Sequence, residues 1–480
     1  MSFKMKNIRI IIALSLILFN TANHAFAKKK PNIVLIFADD LGWTGLGSYG
    51  SDFYETPNID KLCYSGMKFT QGYAAATVCA PSRAALISGQ YNTKNGTLRV
   101  SDVPKRINKY HLYQALQPAN LPFEESQTTI AEALKSGGYA TGMFGKWHLH
   151  PGSPGDHGFD EWVTSASKHF NFETSLNEEI KEGTYLSDYM ADKAIEFIDK
   201  NKDNPFFLYL PDFLVHKPHE AKERLIQKYA KKQPAGGHKD PVYAAMTESL
   251  DETVGRIYNK LEDTGILENT LIIFTSDNGA AGRTNPDGTG MSKNYTDNIP
   301  LRDGKGLLYE GGIRVPYILY WKNKIASGTS SEMPIIGVDL YPTLLDIAGI
   351  KAPKEHELDG ISFFKTLLNP DHQCKERPLY WHYPNYGPVS YKNGQLKYAY
   401  IPTDAIRLGD YKLLEFYHDT TAYIELYNIA EDLGERNNLA EKMPEKAEEL
   451  LQMLKSWRYE SGARMPVPNP QFDKSLKSSK

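Results

Sequence analysis

Three apolar runs, at residues 32–38, 206–210 and 271–276, constrain the fold of this chain more than any other feature. Polar side chains stand almost only at their ends, so the runs lack the alternation of a strand with one solvated face. Such runs are typical of strands buried on both faces of a parallel sheet. The sequence therefore predicts a large, mainly parallel sheet with helices on both sides.

Segments with helical spacing separate these runs, as a doubly wound α/β fold requires. Residues 129–135 predict one helix, which Gly137-Gly138 would end. A longer helix before Gly265 has a stripe of apolar residues at spacings of three and four, which fits one buried face. The stripe consists of Met246, Leu250, Val254, Ile257 and Leu261.

The tail has a different character. From about Pro378 it is rich in Tyr, His and Pro, and it contains short strand-like runs at 411–414 and 424–427. A helix is predicted from about Pro444 to Trp457. We therefore expect a large domain at 28–375 and a smaller α+β subdomain at 376–480.

The first residues have the pattern of a secretory signal. Lys4, Lys6 and Arg9 precede a short apolar run at 10–19, and Ala25-Phe26-Ala27 is a small-residue cleavage site. The run is too short to span a bilayer comfortably. We expect residues 1–27 to be removed and the mature chain to be exported to the periplasm or secreted, with no membrane attachment.

Charge and cysteine content exclude other classes. Lys and Arg number 55 against 58 Asp and Glu, a net charge of −3, so no basic excess points to nucleic acid. A local cluster of cations could still bind an anionic substrate. The three cysteines, Cys63, Cys79 and Cys374, are too few for a disulfide scaffold, and their spacing does not tell whether Cys63 and Cys374 pair.

Polar side chains follow two of the predicted strands. Asp39-Asp40 comes directly after the first run, and Asp277-Asn278 after the third. Open α/β sheets bind ligands at the carboxyl ends of their strands. Because these four residues supply only oxygen donors, they favour a hard divalent cation over zinc.

A lone cysteine lies in the segment Cys79-Ala80-Pro81-Ser82-Arg83, before an apolar stretch. By itself this predicts a turn that leads into a helix, with the cysteine as either a nucleophile or a buried structural residue. Two further polar groups follow predicted strands. These are the segment Gly145-Lys146-Trp147-His148 and, later, His216.

Together these segments resemble the type I sulfatases. Cys-x-Pro-Ser-Arg at residues 79–83 is the signature of that family, and the other matching segments occur in the right order over roughly residues 31–370. They are Asp39-Asp40, residues 145–148, His216, residues 276–279, Lys305 and residues 310–316. The tail, from Ile406 to Asn428, is similar to the C-terminal subdomain of bacterial polysaccharide sulfatases. The resemblance implies an alkaline-phosphatase-like sandwich.

The resemblance also implies roles for individual residues. Cys79 would be oxidised to formylglycine (3-oxoalanine) by a maturation enzyme, and its hydrate would be the nucleophile. One Ca²⁺ per chain, less readily Mg²⁺, would be bound by residue 79 together with Asp39, Asp40, Asp277 and Asn278. Arg83 would hold the modified residue, and His148 would handle the proton of the diol. Lys146 and Lys305 would bind sulfate oxygens, while His216 would contact the bridging oxygen and act as general acid.

The resemblance implies hydrolysis of sulfate esters, and the tail favours sulfated poly- or oligosaccharides. Two other functions remain open at this point: a phosphomonoester or phosphonate monoester hydrolase on the same scaffold, and a non-catalytic glycan-binding relative. The segment Glu310-Gly311-Gly312 with Arg314 is predicted to be structural, a tight turn with a buried ion pair.

Three segments bear on the substrate. Aromatic residues at 380–386 could stack on sugars or pack between domains. The basic stretch at 217–232 could meet a polyanion or form a solvated helix face. Leu149-His150 stands where the family often has Leu-Gly, near the expected substrate rim. None of these segments identifies the sugar, the sulfate position or the oligomeric state.

Overall fold

A computed structural model describes the chain at 29–100, 113, 116, 120–121, 127–282, 295–372, 374–386, 389–392, 395–398, 401–417 and 423–473. The predicted signal at residues 1–27 lies outside these ranges. Within them, no helix has both the length and the apolar character needed to cross a membrane.

The described strands, in chain order, are β1 (Asn32–Ala38), β2 (Met67–Phe69), β3 (Gly72–Tyr73), β4 (Ala140–Gly145), β5 (Glu161–Thr164), β6 (Phe206–Pro211), β7 (Thr270–Ser276), β8 (Tyr317–Trp321), β9 (Thr329–Ser331), β10 (Ile335–Ile336), β11 (Leu379–Tyr383), β12 (Val389–Lys392), β13 (Gln395–Tyr398), β14 (Thr403–Leu408), β15 (Tyr411–Phe416) and β16 (Tyr423–Asn428). The described α-helices are α1 (Pro57–Ser65), α2 (Cys79–Ser88), α3 (Asn92–Asn95), α4 (Ile130–Ser136), α5 (Leu186–Asn201), α6 (Glu223–Tyr229), α7 (Pro241–Asp263), α8 (Glu310–Ile313), α9 (Leu340–Ala348), α10 (Phe364–Leu368) and α11 (Pro444–Glu460). Short 3₁₀ turns lie at Gly47–Tyr49, Gly155–His157, Leu267–Asn269 and Gly337–Asp339.

The main sheet has the order β5-β4-β6-β1-β7-β8-β2-β9. Its first five strands are parallel, β8 runs antiparallel to both neighbours, and β9 is parallel to β2. All seven residues of β1 and of β7 are buried, because helices cover both faces of the sheet. The prediction of a large, mainly parallel sheet between helices is confirmed.

The long apolar stripe of α7 packs on one face of this sheet. Met246, Leu250 and Leu261 are fully buried there, in the same core cluster as Val34 and Phe274. The opposite face carries α2, α4 and α9 in a second core cluster. The side chain of Asp240 accepts hydrogen bonds from the first free backbone N–H groups of α7, and Pro241 at its first position needs no such partner.

Helix α4 begins and ends where its sequence predicts. Thr129 accepts a hydrogen bond from the backbone N–H of Glu132, while the Glu132 carboxylate accepts one from the N–H of Thr129. This capping box satisfies two donors that the first turn leaves unpaired. Gly137 ends the helix, and β4 follows directly.

The C-terminal part forms a four-stranded antiparallel sheet in the order β11-β14-β15-β16. Helix α11 covers one face, where Leu450 and Leu454 pack with Ile406 and Leu413. The other face packs on the main domain, with Trp381 against Tyr73. Cys63, Cys79 and Cys374 are all free thiols, so Cys63 and Cys374 do not pair.

Candidate active site

Four oxygen-bearing residues meet at the carboxyl edge of the main sheet. Ala38 of β1 pairs with Ser276 of β7, so the residues that follow the two strands lie side by side. The backbone N–H of Asp40 donates to Oδ1 of Asp277 over 3.1 Å, and Nδ2 of Asn278 donates to Oδ1 of Asp40 over 2.8 Å. Asp40 has φ of 64°, a left-handed conformation that turns the chain sharply after β1.

Cys79 lies at the first position of α2 and faces this group. Its Sγ is 3.5 Å from Oδ1 of Asp39 and 4.0 Å from Oδ1 of Asp40. Every residue of α2 is buried, which fixes Cys79 and, one turn later, Arg83. Burial raises the pKa of the Cys79 thiol to about 12, so a thiolate nucleophile is disfavoured at neutral pH.

Three cations surround the carboxylates. The Arg83 guanidinium lies 2.8 Å from Oδ2 of Asp277 and 3.7 Å from Oδ2 of Asp39. Nζ of Lys146, from the segment after β4, is 2.5 Å from Oδ2 of Asp39. Nζ of Lys305 is 2.6 Å from Oδ1 of Asp40 and 3.1 Å from the Cys79 sulfur.

These contacts set the charge states of the site. Burial opposes ionisation of Asp39, but Lys146 and Arg83 hold its pKa well below the usual range. Burial and the charge of Asp39 raise the pKa of Asp277 to about 7. Burial opposes protonation of Lys305, yet Asp40 raises its pKa well above normal. The Lys305 ammonium therefore stays protonated, and binding of an anion requires such fixed positive charge.

Two histidines lie at the border of this cluster. Nε2 of His216 is 3.8 Å from Oδ2 of Asp40, and its Nδ1 contacts the carbonyl of Lys217 at 2.6 Å. Burial lowers the pKa of His216, and the charges of Asp39 and Asp40 oppose this shift. Nε2 of His148 is 3.0 Å from the carbonyl of Val100. Burial and the charge of Lys146 lower the pKa of His148 to about 3.

The donor set fits a divalent cation. Ligand atoms of Asp39, Asp40, Cys79 and His216 all lie within 4.8 Å of one another. Oδ1 of Asn278 is buried and has no hydrogen-bond partner among the described residues, although native proteins rarely leave such an oxygen unpaired. An ion among these oxygens would satisfy it and would offset the cost of gathering buried carboxylates.

All ten residues that the sequence singles out for chemistry meet in this region. Nine of them lie at the ends of β1, β4, β6 and β7 or in the first two turns of α2, and Lys305 lies in the loop before α8. His216 was predicted to lie in the site as general acid, but it was not predicted to be among the possible ligands of a metal ion. Its position after β6 gave a signal, because β6 is the direct neighbour of β1.

The aromatic segment at 380–386 packs between the domains. Trp381, Tyr383 and Tyr386 are buried, and Nε1 of Trp381 donates to the carbonyl of Ala74. Of the two alternatives left open, domain packing is therefore the one found. Stacking on a sugar is excluded for these three rings as they lie in this structure.

The basic stretch at 217–232 is largely neutralised by acidic partners. Lys222 lies between Asp188 and Glu252, and both Lys228 and Lys232 contact Glu55. This agrees with a solvated helix face and gives no free polycationic surface for a polyanion.

The segment at 310–314 forms a one-turn helix with a buried ion pair, as predicted. Nη1 of Arg314 is 3.2 Å from Oε2 of Glu310. The pair belongs to a larger network, because Lys412 of β15 lies 3.0 Å from Glu310 and 2.8 Å from Glu435. This network joins the C-terminal sheet to the loop that carries Lys305.

Two family models match the chain. One, described as Sulfatase, matches residues 31–350, which is more than half of the chain. The other, described as N-sulphoglucosamine sulphohydrolase, C-terminal, matches residues 303–460. The first includes every residue of the cluster around Cys79.

Relatives of known name are similar over most of the chain. A sulfatase of Formosa agariphila is 36% identical over 496 residues, covering 87% of this chain and 86% of its own length. The N-acetylgalactosamine-6-sulfatase of Rattus norvegicus is 33% identical over 393 residues, covering 75% of this chain and 70% of that protein. The crystal structure of Ps i-CgsB in complex with k-i-k-neocarrahexaose has a TM-score of 0.73 and 28% identity, covering 92% of this chain and 96% of that one.

Proposed function

The chain belongs to the sulfatase family and is a sulfuric ester hydrolase, and we propose that it removes sulfate from sulfated oligo- or polysaccharides through an oxidised residue 79. The observation that carries the proposal is the contact of Cys79 with two buried carboxylates and the Lys305 ammonium. Relatives named for N-acetylgalactosamine 6-sulfate, and a related structure that contains neocarrahexaose, support a carbohydrate substrate.

Cys79 is the proposed site of modification to formylglycine. A thiol with a pKa near 12 is a poor nucleophile, whereas a hydrated aldehyde at the same place offers a hydroxyl oxygen for attack on sulfur. Arg83 lies one helical turn away and is fixed by Asp277, so it can hold the charge that develops at residue 79. A maturation enzyme is the partner that this chemistry requires.

A divalent cation, Ca²⁺ in preference to Mg²⁺, is proposed for the oxygen cluster. Asp39, Asp40, Asp277 and Asn278 would hold it together with residue 79, and hard oxygen donors suit both ions. When bound, the ion polarises the sulfate and lowers the pKa of the hydroxyl group at residue 79. Its charge would also compete with Lys146 and Lys305 for the carboxylates, which would release both ammonium groups toward sulfate oxygens.

The remaining roles follow from position and charge. Lys146 and Lys305 lie on opposite carboxylates of the cluster, so they can bind different oxygens of one sulfate. His216 lies beside Asp40 and can donate a proton to the leaving sugar oxygen, while His148 handles the proton of the diol at residue 79. The fixed cations stabilise charge on the transferred group without reorganisation.

The wider expectations belong to the same proposal. Residues 1–27 would direct export to the periplasm or the medium. Residues 28–375 would form the catalytic domain and 376–480 the C-terminal subdomain.

Kinetics on matched aryl esters test the reaction class. We expect kcat/KM for 4-nitrophenyl sulfate to exceed that for 4-nitrophenyl phosphate, because the chain belongs to the sulfatase family. A Cys79→Ala variant should lose activity on both esters. Faster turnover of the phosphate would favour the phosphomonoesterase alternative, and no turnover of any sulfate ester by protein with oxidised residue 79 would favour the glycan-binding one.

A further inference from the structure

A cavity opens beside the proposed sulfate site, at the same edge of the main sheet. β5 pairs in parallel with β4, so the residues that follow both strands meet there. The cavity has a volume of about 390 Å³, within the roughly 300–1,000 Å³ of small-molecule sites. Its lining includes Trp147, His148, His150, Trp162, Thr164 and Ser165.

His148 joins the cavity to the catalytic cluster. His148 lies two residues after Lys146, which contacts Asp39, and both His148 and the intervening Trp147 line the cavity. A substrate with its sulfate beside residue 79 therefore has room next to His148 for a neighbouring unit.

Two buried polar atoms beside the cavity lack partners within the described part of the chain. They are Oγ of Ser165, a residue only 8% exposed, and Nδ1 of His148. An unpaired buried polar atom costs about 1–3 kcal/mol, so native structures seldom retain one without a role. Hydroxyl groups of a ligand would supply the missing partners.

The lining of the cavity also includes an aromatic ring that can pack against a sugar. Trp162 of β5 is half-buried, packed against the core on one side and lining the cavity on the other. Indole rings pack well against the apolar faces of sugars. His150 is exposed at the rim.

The charge of the cavity differs from that of the sulfate site. Apart from its two histidines, no ionisable side chain is found among the described residues of its lining. The sulfate site, in contrast, has Arg83, Lys146 and Lys305 within contact distance of its carboxylates. A second sulfate or a uronate carboxylate in the cavity would lose water without gaining a cation.

We infer that this cavity is a subsite for an uncharged sugar unit linked to the sulfated one. Trp162 packs on its ring, and Ser165 and His150 bind its hydroxyl groups. The inference rests on the proposed function, because it takes the sulfate to lie beside residue 79. It predicts that the enzyme prefers sulfated sugars with a neutral neighbour over those with an acidic one.

Three probes separate the two sites. 4-Nitrophenyl sulfate reports on the sulfate site. A carrageenan disaccharide sulfated on galactose has a neutral second unit, and a chondroitin disaccharide sulfated on galactosamine has a uronate. We expect the neutral-partner disaccharide to have the lowest KM of the three. If neither disaccharide has a lower KM than the aryl ester, or if the uronate form has the lowest, the inference is wrong while the proposed function stands. Absence of turnover of all three by the modified enzyme contradicts the proposed function itself.

Substitutions of residues in the cavity lining test whether the cavity causes the difference in KM. Trp162→Ala should raise KM for the neutral-partner disaccharide about tenfold more than KM for the aryl sulfate, and Trp162→Phe should recover most of the difference. Ser165→Ala should raise the ratio of KM for the neutral-partner disaccharide to KM for the aryl sulfate about fivefold. Tyr459→Ala, at a ring 90% exposed on the surface, is the matched control and should leave both KM values unchanged. Equal increases of KM for both substrates in Trp162→Phe and Ser165→Ala would overturn the assignment.

Discussion

Replacement of Lys412 by Met tests how the two domains hold the active-site loop. The Lys412 side chain is fully buried, with its ammonium 3.0 Å from Glu310 and 2.8 Å from Glu435. Met has a similar volume but no charge, so the variant would remove the cation that contacts both Glu310 and Glu435, and Arg314 would remain in contact with Glu310. Breaking a buried pair in this way costs about 3–5 kcal/mol, because the remaining charge has no compensation.

The assay is urea denaturation followed by tryptophan fluorescence, with circular dichroism as a second probe. Lys412→Met should lower the unfolding midpoint, and because Glu310 follows the loop that carries Lys305, kcat should fall as well. Lys200→Met is the matched control, since Lys200 is 66% exposed and its pair with Glu161 should contribute at most about 1 kcal/mol. A loss of less than about 1 kcal/mol in Lys412→Met would refute the view that this network joins the domains.

Other predictions concern the site and its support. Removal of bound metal by EDTA should abolish sulfatase activity and lower the melting temperature, and Ca²⁺ should restore both more fully than Mg²⁺. Calorimetry and kinetics on the same sample would measure these two effects. Unchanged activity after complete chelation would contradict the metal proposal. His216→Ala should reduce kcat by about 10²–10⁴-fold on a sugar sulfate. The reduction should be smaller on 4-nitrophenyl sulfate, because its leaving group needs no proton. Equal reductions of kcat on both substrates would argue against His216 as a general acid. Burial raises the pKa of Glu435 to about 7, so the folded state binds this proton more tightly than the unfolded state. The contribution of this bound proton to stability is therefore complete below the unfolded pKa near 4.5 and is lost as pH rises through 7. Glu435→Gln should remove that part of the pH dependence from denaturation curves recorded between pH 4.5 and 8. An unchanged pH dependence in the variant would contradict the raised pKa.

The architecture was predictable because its signals are local. The apolar runs of β1, β6 and β7 need no partner to be recognised, and the polar residues after them mark the edge where ligands bind. The stripe of α7 likewise identifies its buried face by spacing alone. The predicted bounds of β1 match the observed ones, and those of β6 and β7 differ from them by one residue at one end.

The individual roles at the site were less accessible to pattern analysis. Lys305 lies in a loop without periodicity, so its contact with Asp40 and Cys79 depends on how the loop after β7 folds back. Only the resemblance to a family indicated it. Cys79 illustrates the same limit, because composition and spacing cannot distinguish a structural thiol from one that is oxidised.

Long-range pairing accounts for what the sequence did not predict. Lys412 meets Glu310 across about 100 residues of chain, and their charges alone gave no sign of it. Lys222, just before α6, and Lys228 within it look free in the sequence, yet acids from other helices pair with them. The cavity beside His148 forms only when β5 adds to the edge of the sheet, so Trp162 and Ser165 carried no signal of their own.

Mass spectrometry of the peptide that contains residue 79, combined with activity, tests the central claim most directly. Protein would be produced with and without a formylglycine-generating enzyme, and kcat would be plotted against the fraction of peptide in which an aldehyde has replaced the thiol. We predict that sulfatase activity rises in proportion to that fraction and extrapolates to zero for the unmodified cysteine. Full activity in protein whose Cys79 is entirely a thiol would contradict the account.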